Sequence, residues 1–177
     1  MARHPVVIGI LGGAAWGTVL RAWMRFISTD PEFSWSGTLF IVGAAAWAGL
    51  IIGVVWWRYL AGGSRWWRLL GIGTLPVFGG AGIVMLPSAL LGAVGFGRTR
   101  WPSAIRATLV VVAVGGQFAL LGLGGDVFPE GRLIPAMAWY TVMIGIQMWA
   151  LSVLFRPPAA YLQDTAPHAL TRSRVGL

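Results

Sequence analysis

The sequence predicts an all-α, polytopic integral membrane helical bundle. Three observations lead there. Hydrophobic residues make up 57% of the 177-residue chain and charged residues only 10%, where soluble domains carry about a quarter. The mean hydropathy is +0.76, more apolar surface than a soluble fold of this size can hide from water. The apolar residues also gather into five long segments, separated by short charged or turn-rich stretches.

The first segment, Pro5–Ile27, follows Arg3 and stays apolar past any Ala cleavage point to Trp23 and Met24. It reads as an uncleaved spanning helix rather than a secretory signal. The second, Gly37–Leu60, ends in Trp56-Trp57-Arg58-Tyr59, an aromatic belt with a basic anchor. The fourth, Ser103–Leu123, follows Pro102 and takes Ser103 as its N-cap. The fifth, Leu133–Phe155, is closed by Arg156-Pro157-Pro158, because proline cannot continue a helix. Residues 1–156 are thus expected to form the bundle, and 157–177 a polar, exposed C-terminal tail.

The third segment, Leu69–Gly97, is different. It is uncharged and contains Pro76, Pro87 and the break Gly79-Gly80-Ala81-Gly82. One crossing takes about 20 residues and two take about 40. Its 29 residues therefore fit a kinked span or a re-entrant hairpin of two half-helices. The thirteen basic residues, all Arg, weigh the two options. With a single crossing, Arg3, Arg58, Arg65, Arg68 and Arg132 share the N-terminal side, and the other eight lie opposite. With re-entry, ten Arg share one side and only Arg21, Arg25 and Arg132 lie opposite, beside Asp30, Glu32, Asp126 and Glu130. Re-entry segregates charge best. A re-entrant turn must be buried in protein or line a wet cavity, which makes Pro76, Gly79, Gly80, Gly82 and Pro87 a candidate pore element or break. Two loops, STDPEFSWS and GDVFPEGR, share Asp followed by Pro-Glu; this is either common turn chemistry or a duplicated helical hairpin.

Several functions are disfavoured. The net charge of +8 does not point to nucleic acid, because the Arg residues flank apolar runs where topology signals belong. The chain has no Cys, so disulfides, thiol catalysis and thiolate metal sites are excluded. His4 and His168 lie in the tails, leaving no membrane base or ligand. Ser88 has no His or Lys to activate it. No catalytic residue, cofactor or metal is expected, and the chain is not expected to be an enzyme.

The first helix carries the sharpest pattern. Gly9, Gly13, Gly17, Arg21 and Arg25 recur every four residues and form one stripe. Small residues at this spacing let another helix backbone approach closely. Arg21 lies about one turn inside the span, where a charge is costly without a partner. Asp30 and Glu32 are the candidate partners in a structural clamp. Alternatively, Arg21 and Arg25 form an anion or lipid-headgroup site, since a guanidinium fork suits carboxylate or phosphate. Thr29-Asp30-Pro31-Glu32 also fits a capping box. Gln117, Tyr140, Thr141 and Gln147 are polar groups inside spans, expected to hydrogen-bond across helices or line a hydrophilic path. Trp16, Trp47 and Trp149 lie nearer mid-span and are expected to pack.

The stretch Gly12–Val42, GGAAWGTVLRAWMRFISTDPEFSWSGTLFIV, resembles a family of uncharacterised bacterial multi-pass membrane proteins, mostly actinobacterial, through RAWMRFIS and PEFSWSGTLFIV. That resemblance implies a multi-pass bundle and no assigned activity. The same stretch is distantly similar to small fluoride channels, with a glycine-rich first helix ending in Arg and Gly37-Thr38-Leu39 entering the second. It departs from them at Phe40-Ile41-Val42-Gly43, where that family has Asn, and at the break Phe78-Gly79-Gly80-Ala81-Gly82, which lacks a Phe- and Thr-rich third helix. No pore residue carries over. The Arg, Ala, Gly and Trp bias fits a high-GC bacterium and its inner (plasma) membrane.

Two functions follow as expectations. The first is a helix-packing protein whose glycine stripe meets a second copy or another membrane protein. The alternative is a channel or transporter for a small anion or lipid-like ligand, using Arg21, Arg25 and segment 69–97. The expected surroundings are the lipid bilayer, and nucleic acid is not an expected partner.

Overall fold

The computed structural model describes residues 4–28, 33–123 and 131–157. Among them it is helical throughout, with no strand. The order is α1 (Pro5–Ile27), α2 (Trp35–Leu60), a 3-10 helix (Arg65–Phe78), a second 3-10 helix (Gly80–Met85), α3 (Leu86–Gly97), α4 (Ser103–Leu123), α5 (Leu133–Leu151) and a 3-10 turn (Ser152–Phe155). Four helices are long and apolar enough to cross a membrane: α1, α2, α4 and α5 with its 3-10 extension. Leu39, Phe40, Val111 and Ile134 point outward and are exposed, an arrangement suited to hydrocarbon rather than water. The chain is a multi-pass helical membrane protein.

Local chemistry sets the helix ends. Pro5 opens α1, where a missing N–H costs nothing. α2 starts at Trp35, two residues ahead of the expected start, and Ser34 caps it, accepting from the Gly37 N–H at 3.2 Å. After α2 the chain turns at Gly62, whose φ of 70° favours glycine. Two Arg side chains satisfy carbonyls at helix C-termini. Arg132 donates to the Phe26 carbonyl at 2.9 Å and Arg106 to that of Gly95 at 3.0 Å. The capping box at Thr29–Glu32 lies outside the described residues.

The close pair is α1 with α2. Gly9 and Gly13 face Gly49 and Ala45, and Gly17 faces Ala45 and Val42. A Cβ at Gly9 or Gly13 would overlap the α2 backbone. The glycine stripe is therefore used within the chain. The hairpin is not repeated: α4 packs chiefly on α3, and α5 packs on α3 and α1.

The broken run enters and leaves at the same end of the bundle. Near its start, Gly71 abuts Leu154; at its finish, Gly97 abuts Ser152 and Phe155. All three partners close the last span. Between these ends the run reaches mid-bundle, where Gly73 meets Ile51, and Met85 packs on the cluster of Tyr140, Met143 and Ile144. The chain breaks at Gly79, which is extended at φ −61° and ψ 152°. Phe78, just before the break, is buried and packs with Ala89, Ala93 and Leu151, while Pro76, Gly79 and Ile83 at the turn are exposed. The first arm is 3-10 rather than α, and its 14 residues advance about 2.0 Å each instead of 1.5 Å. Segment 69–97 thus doubles back to the end where it starts, the shape of the hairpin option rather than of a single kinked span.

Charge follows this topology. Arg58, Arg65, Arg68, Arg98, Arg100, Arg106 and Arg156 lie at the end where the run enters and leaves, termed here the basic end. Arg21, Arg25 and Arg132 lie at the other. The remaining Arg lie outside the described residues.

Candidate functional site

A cavity of about 290 Å³ opens between α1, α2, the first 3-10 helix and α5. Its cause is residue size. Gly9, Gly12 and Gly13 on α1 and Ala45, Ala48 and Gly49 on α2 bring the two backbones together but leave a hollow beside the seam. Thr74, Val77 and Phe78 of the broken run wall one side, and Gln147, Ala150 and Leu151 of α5 the other. Trp16, Trp56 and Trp149 complete it, with Trp56 and Trp149 edge to face at 6.1 Å. The volume falls just below the usual range of ligand pockets, about 300–1,000 Å³.

The lining is apolar apart from Thr74, Gln147 and Arg156. Thr74 is buried, and its hydroxyl donates to the Gly71 carbonyl at 2.7 Å. That leaves the hydroxyl oxygen as an acceptor. Gln147 is 9% exposed, and its Oε1 is buried with no hydrogen-bond partner. An unpaired amide oxygen in this setting costs about 1–3 kcal/mol unless something donates to it. Arg156 follows the last 3-10 turn and stands at the basic end.

The structure divides the residues singled out in the sequence. Gly9 and Gly13 both pack against α2 and line the cavity; Gly17 only packs. Pro76 sits between the lining residues Thr74 and Val77. Gly79 makes the break, Gly80 and Gly82 belong to the second 3-10 helix, and Pro87 lies in the first turn of α3, where its missing N–H is tolerated. Arg21 and Arg25 lie at the end away from the cavity's Arg156. The Arg21 Nε donates to the Thr38 hydroxyl of α2 at 3.3 Å, and the Arg25 guanidinium stands 5.0 Å from the Phe33 ring centroid. Asp30 and Glu32 lie outside the described residues.

Interhelical hydrogen bonding by the polar residues in the spans is not what the side chains do. Thr141 donates to its own helix, to the Met137 carbonyl at 2.8 Å. Gln117 and the Tyr140 hydroxyl are buried without a partner. Tryptophan indoles take the bridging role instead. Trp16 donates to the Met143 carbonyl at 3.2 Å, Trp23 to Ala136 at 3.0 Å and Trp47 to Gly73 at 3.1 Å. Sequence reasoning gave Trp16 and Trp47 packing roles and missed these bonds. It also missed Gly12 and Thr74. Gly12 lies one residue off the four-residue stripe, which turns it toward the hollow.

Among the described residues, no three His, Cys, Asp or Glu side chains come together to hold a metal. Neither a family model, nor a curated protein, nor a solved structure matches this chain.

Proposed function

We propose that this protein binds a slender lipid-like molecule inside its bundle, as a carrier or transporter of such a ligand in a bacterial plasma membrane. The observation that carries this reading is a largely apolar cavity whose few polar wall residues include Gln147, with its Oε1 buried and unpaired. An apolar chain suits the glycine, alanine and tryptophan surfaces. A hydroxyl or protonated carboxyl on that chain could donate to Gln147. The broken run supports transport, because Thr74, Val77 and Phe78 form one wall and Gly79 gives that wall a natural hinge. The rival reading, a helix-packing protein, drew on the glycine stripe, whose partner is α2 of the same chain.

The test uses Gly12. It lines the cavity, and a Cβ there meets nothing within 4 Å. Gly12→Leu fills the hollow without striking backbone. Titration of the purified protein with a brominated fatty acid should quench Trp16, Trp56 and Trp149 fluorescence in a saturable step. That step should vanish in Gly12→Leu. A saturable step of equal size in the variant would overturn the proposal.

A further inference from the structure

We propose that the basic end carries a binding site for the phosphate of an anionic glycerophospholipid, built by Arg58, Arg68 and Arg98 around Trp67. The cavity includes none of these four residues, so the inference stands apart from the proposed function.

The fold brings these Arg residues together from distant parts of the sequence. Arg68 lies three residues before Gly71, and Arg98 directly follows Gly97. Both glycines abut the same short turn, Ser152–Phe155. Re-entry therefore sets the two ends of the run side by side. Arg58 joins them from the last turn of α2, its guanidinium 4.1 Å from the Trp67 ring centroid and 5.3 Å from that of Trp57. The two indoles orient this guanidinium, and its Nε is buried with no hydrogen-bond partner.

Topology signalling alone needs Arg in loops. It does not need Arg residues to converge or to be partly buried. Burial makes Arg68 hold its proton less tightly than usual; Tyr59 opposes this, and the charges of Arg98 and Arg65 add to it. All five acids of the chain lie outside the described residues.

The chemistry at this level selects the ligand. Trp57, Trp66, Trp67 and Trp101 mark the headgroup depth. An anion met at that depth is a lipid phosphate. Arg binds phosphate through a two-pronged fork, which Lys cannot offer. Basic pockets between helices on the cytoplasmic side bind lipid headgroups in this way.

The experiment titrates the purified full chain, in zwitterionic detergent, with short-chain phosphatidylglycerol, phosphatidylcholine or inorganic phosphate, reading the thermal midpoint and the apparent Kd. Phosphatidylglycerol should raise the midpoint, and phosphatidylcholine and millimolar phosphate should not. Arg68→Gln with Arg98→Gln should weaken phosphatidylglycerol binding about tenfold or more. Arg68→Lys, which keeps the charge and preserves folding, should weaken it by a smaller factor. Arg21→Gln with Arg25→Gln, the same charge change at the other end, should leave it unchanged. Equal weakening by that pair would reduce the effect to bulk charge and overturn the site. So would an equal response to inorganic phosphate, or no response to phosphatidylglycerol. Occupation of the site by the chain's own tail, through Asp164, would show as phosphatidylglycerol binding only after Asp164→Asn, which also overturns the proposal for the native chain.

Discussion

The indole of Trp47 on α2 donates its N–H to the carbonyl oxygen of Gly73, at 3.1 Å. In a 3-10 helix that carbonyl would accept from the residue three positions on. That residue is Pro76, which has no N–H. Trp47 supplies the donor that proline withholds, at a lipid-facing position where water cannot substitute. One bond thus ties the broken run to α2 at mid-height.

Trp47→Phe keeps the ring and removes the donor. It should cost about 1 kcal/mol, the usual scale for a hydrogen bond within a membrane bundle. In a Pro76→Ala background, residue 76 regains an N–H that can reach Gly73, so the cost of Trp47→Phe should shrink. Equilibrium unfolding in mixed micelles measures both. Additive costs in the double variant would show that the two residues do not share this carbonyl.

Neighbouring glycines on α1 should respond differently to a side chain. A side chain at Gly13 meets the backbone of α2, while one at Gly12 meets open space. Gly13→Leu should therefore lower stability by at least about 2 kcal/mol, because two backbones must separate. Gly12→Leu should leave it within about 0.5 kcal/mol. Thermal unfolding followed by size-exclusion chromatography reads the difference. Equal losses at the two positions would mean that the stripe does not set the α1–α2 distance.

Much of this arrangement was legible in the sequence. Arg placement favoured re-entry, because an Arg-rich segment such as Arg98–Arg106 is hard to translocate. Gly9, Gly13 and Gly17 announced a close helix contact, but the pattern does not name its partner; Gly49 and Gly53, four apart on α2, do so only once the two helices are paired. The cavity was not legible, because a hollow depends on what faces Gly12 across space. The 3-10 geometry was hidden for a similar reason, since tertiary contacts of Gly71, Gly73 and Phe78 hold that arm. The indole bridges escaped notice because their acceptors are backbone carbonyls, which every residue has.

The buried polar atoms without partners give a third expectation. The Tyr140 hydroxyl and both amide atoms of Gln117 are enclosed and unpaired. Removing an unpaired buried polar group relieves its desolvation cost. Tyr140→Phe and Gln117→Leu should each leave stability unchanged or raise it by up to about 1 kcal/mol. Chemical denaturation in detergent checks this. A loss above about 1 kcal/mol in either variant would show that the group has a partner in the membrane.

The same-end return of the broken run underlies both the cavity wall and the basic end, and the absence of Cys from the chain gives labelling a clean background. Ser64 and Ser103 are exposed, one before the run and one after it; Ser36 is exposed at the other end of α2. Single Cys residues at these three positions, treated with a membrane-impermeant maleimide in intact and in permeabilised cells, report their sides. If the run returns to the end where it starts, Ser64→Cys and Ser103→Cys label together, from the side opposite Ser36→Cys. Labelling of Ser64→Cys and Ser103→Cys from opposite sides would make the run a fifth span and contradict that return.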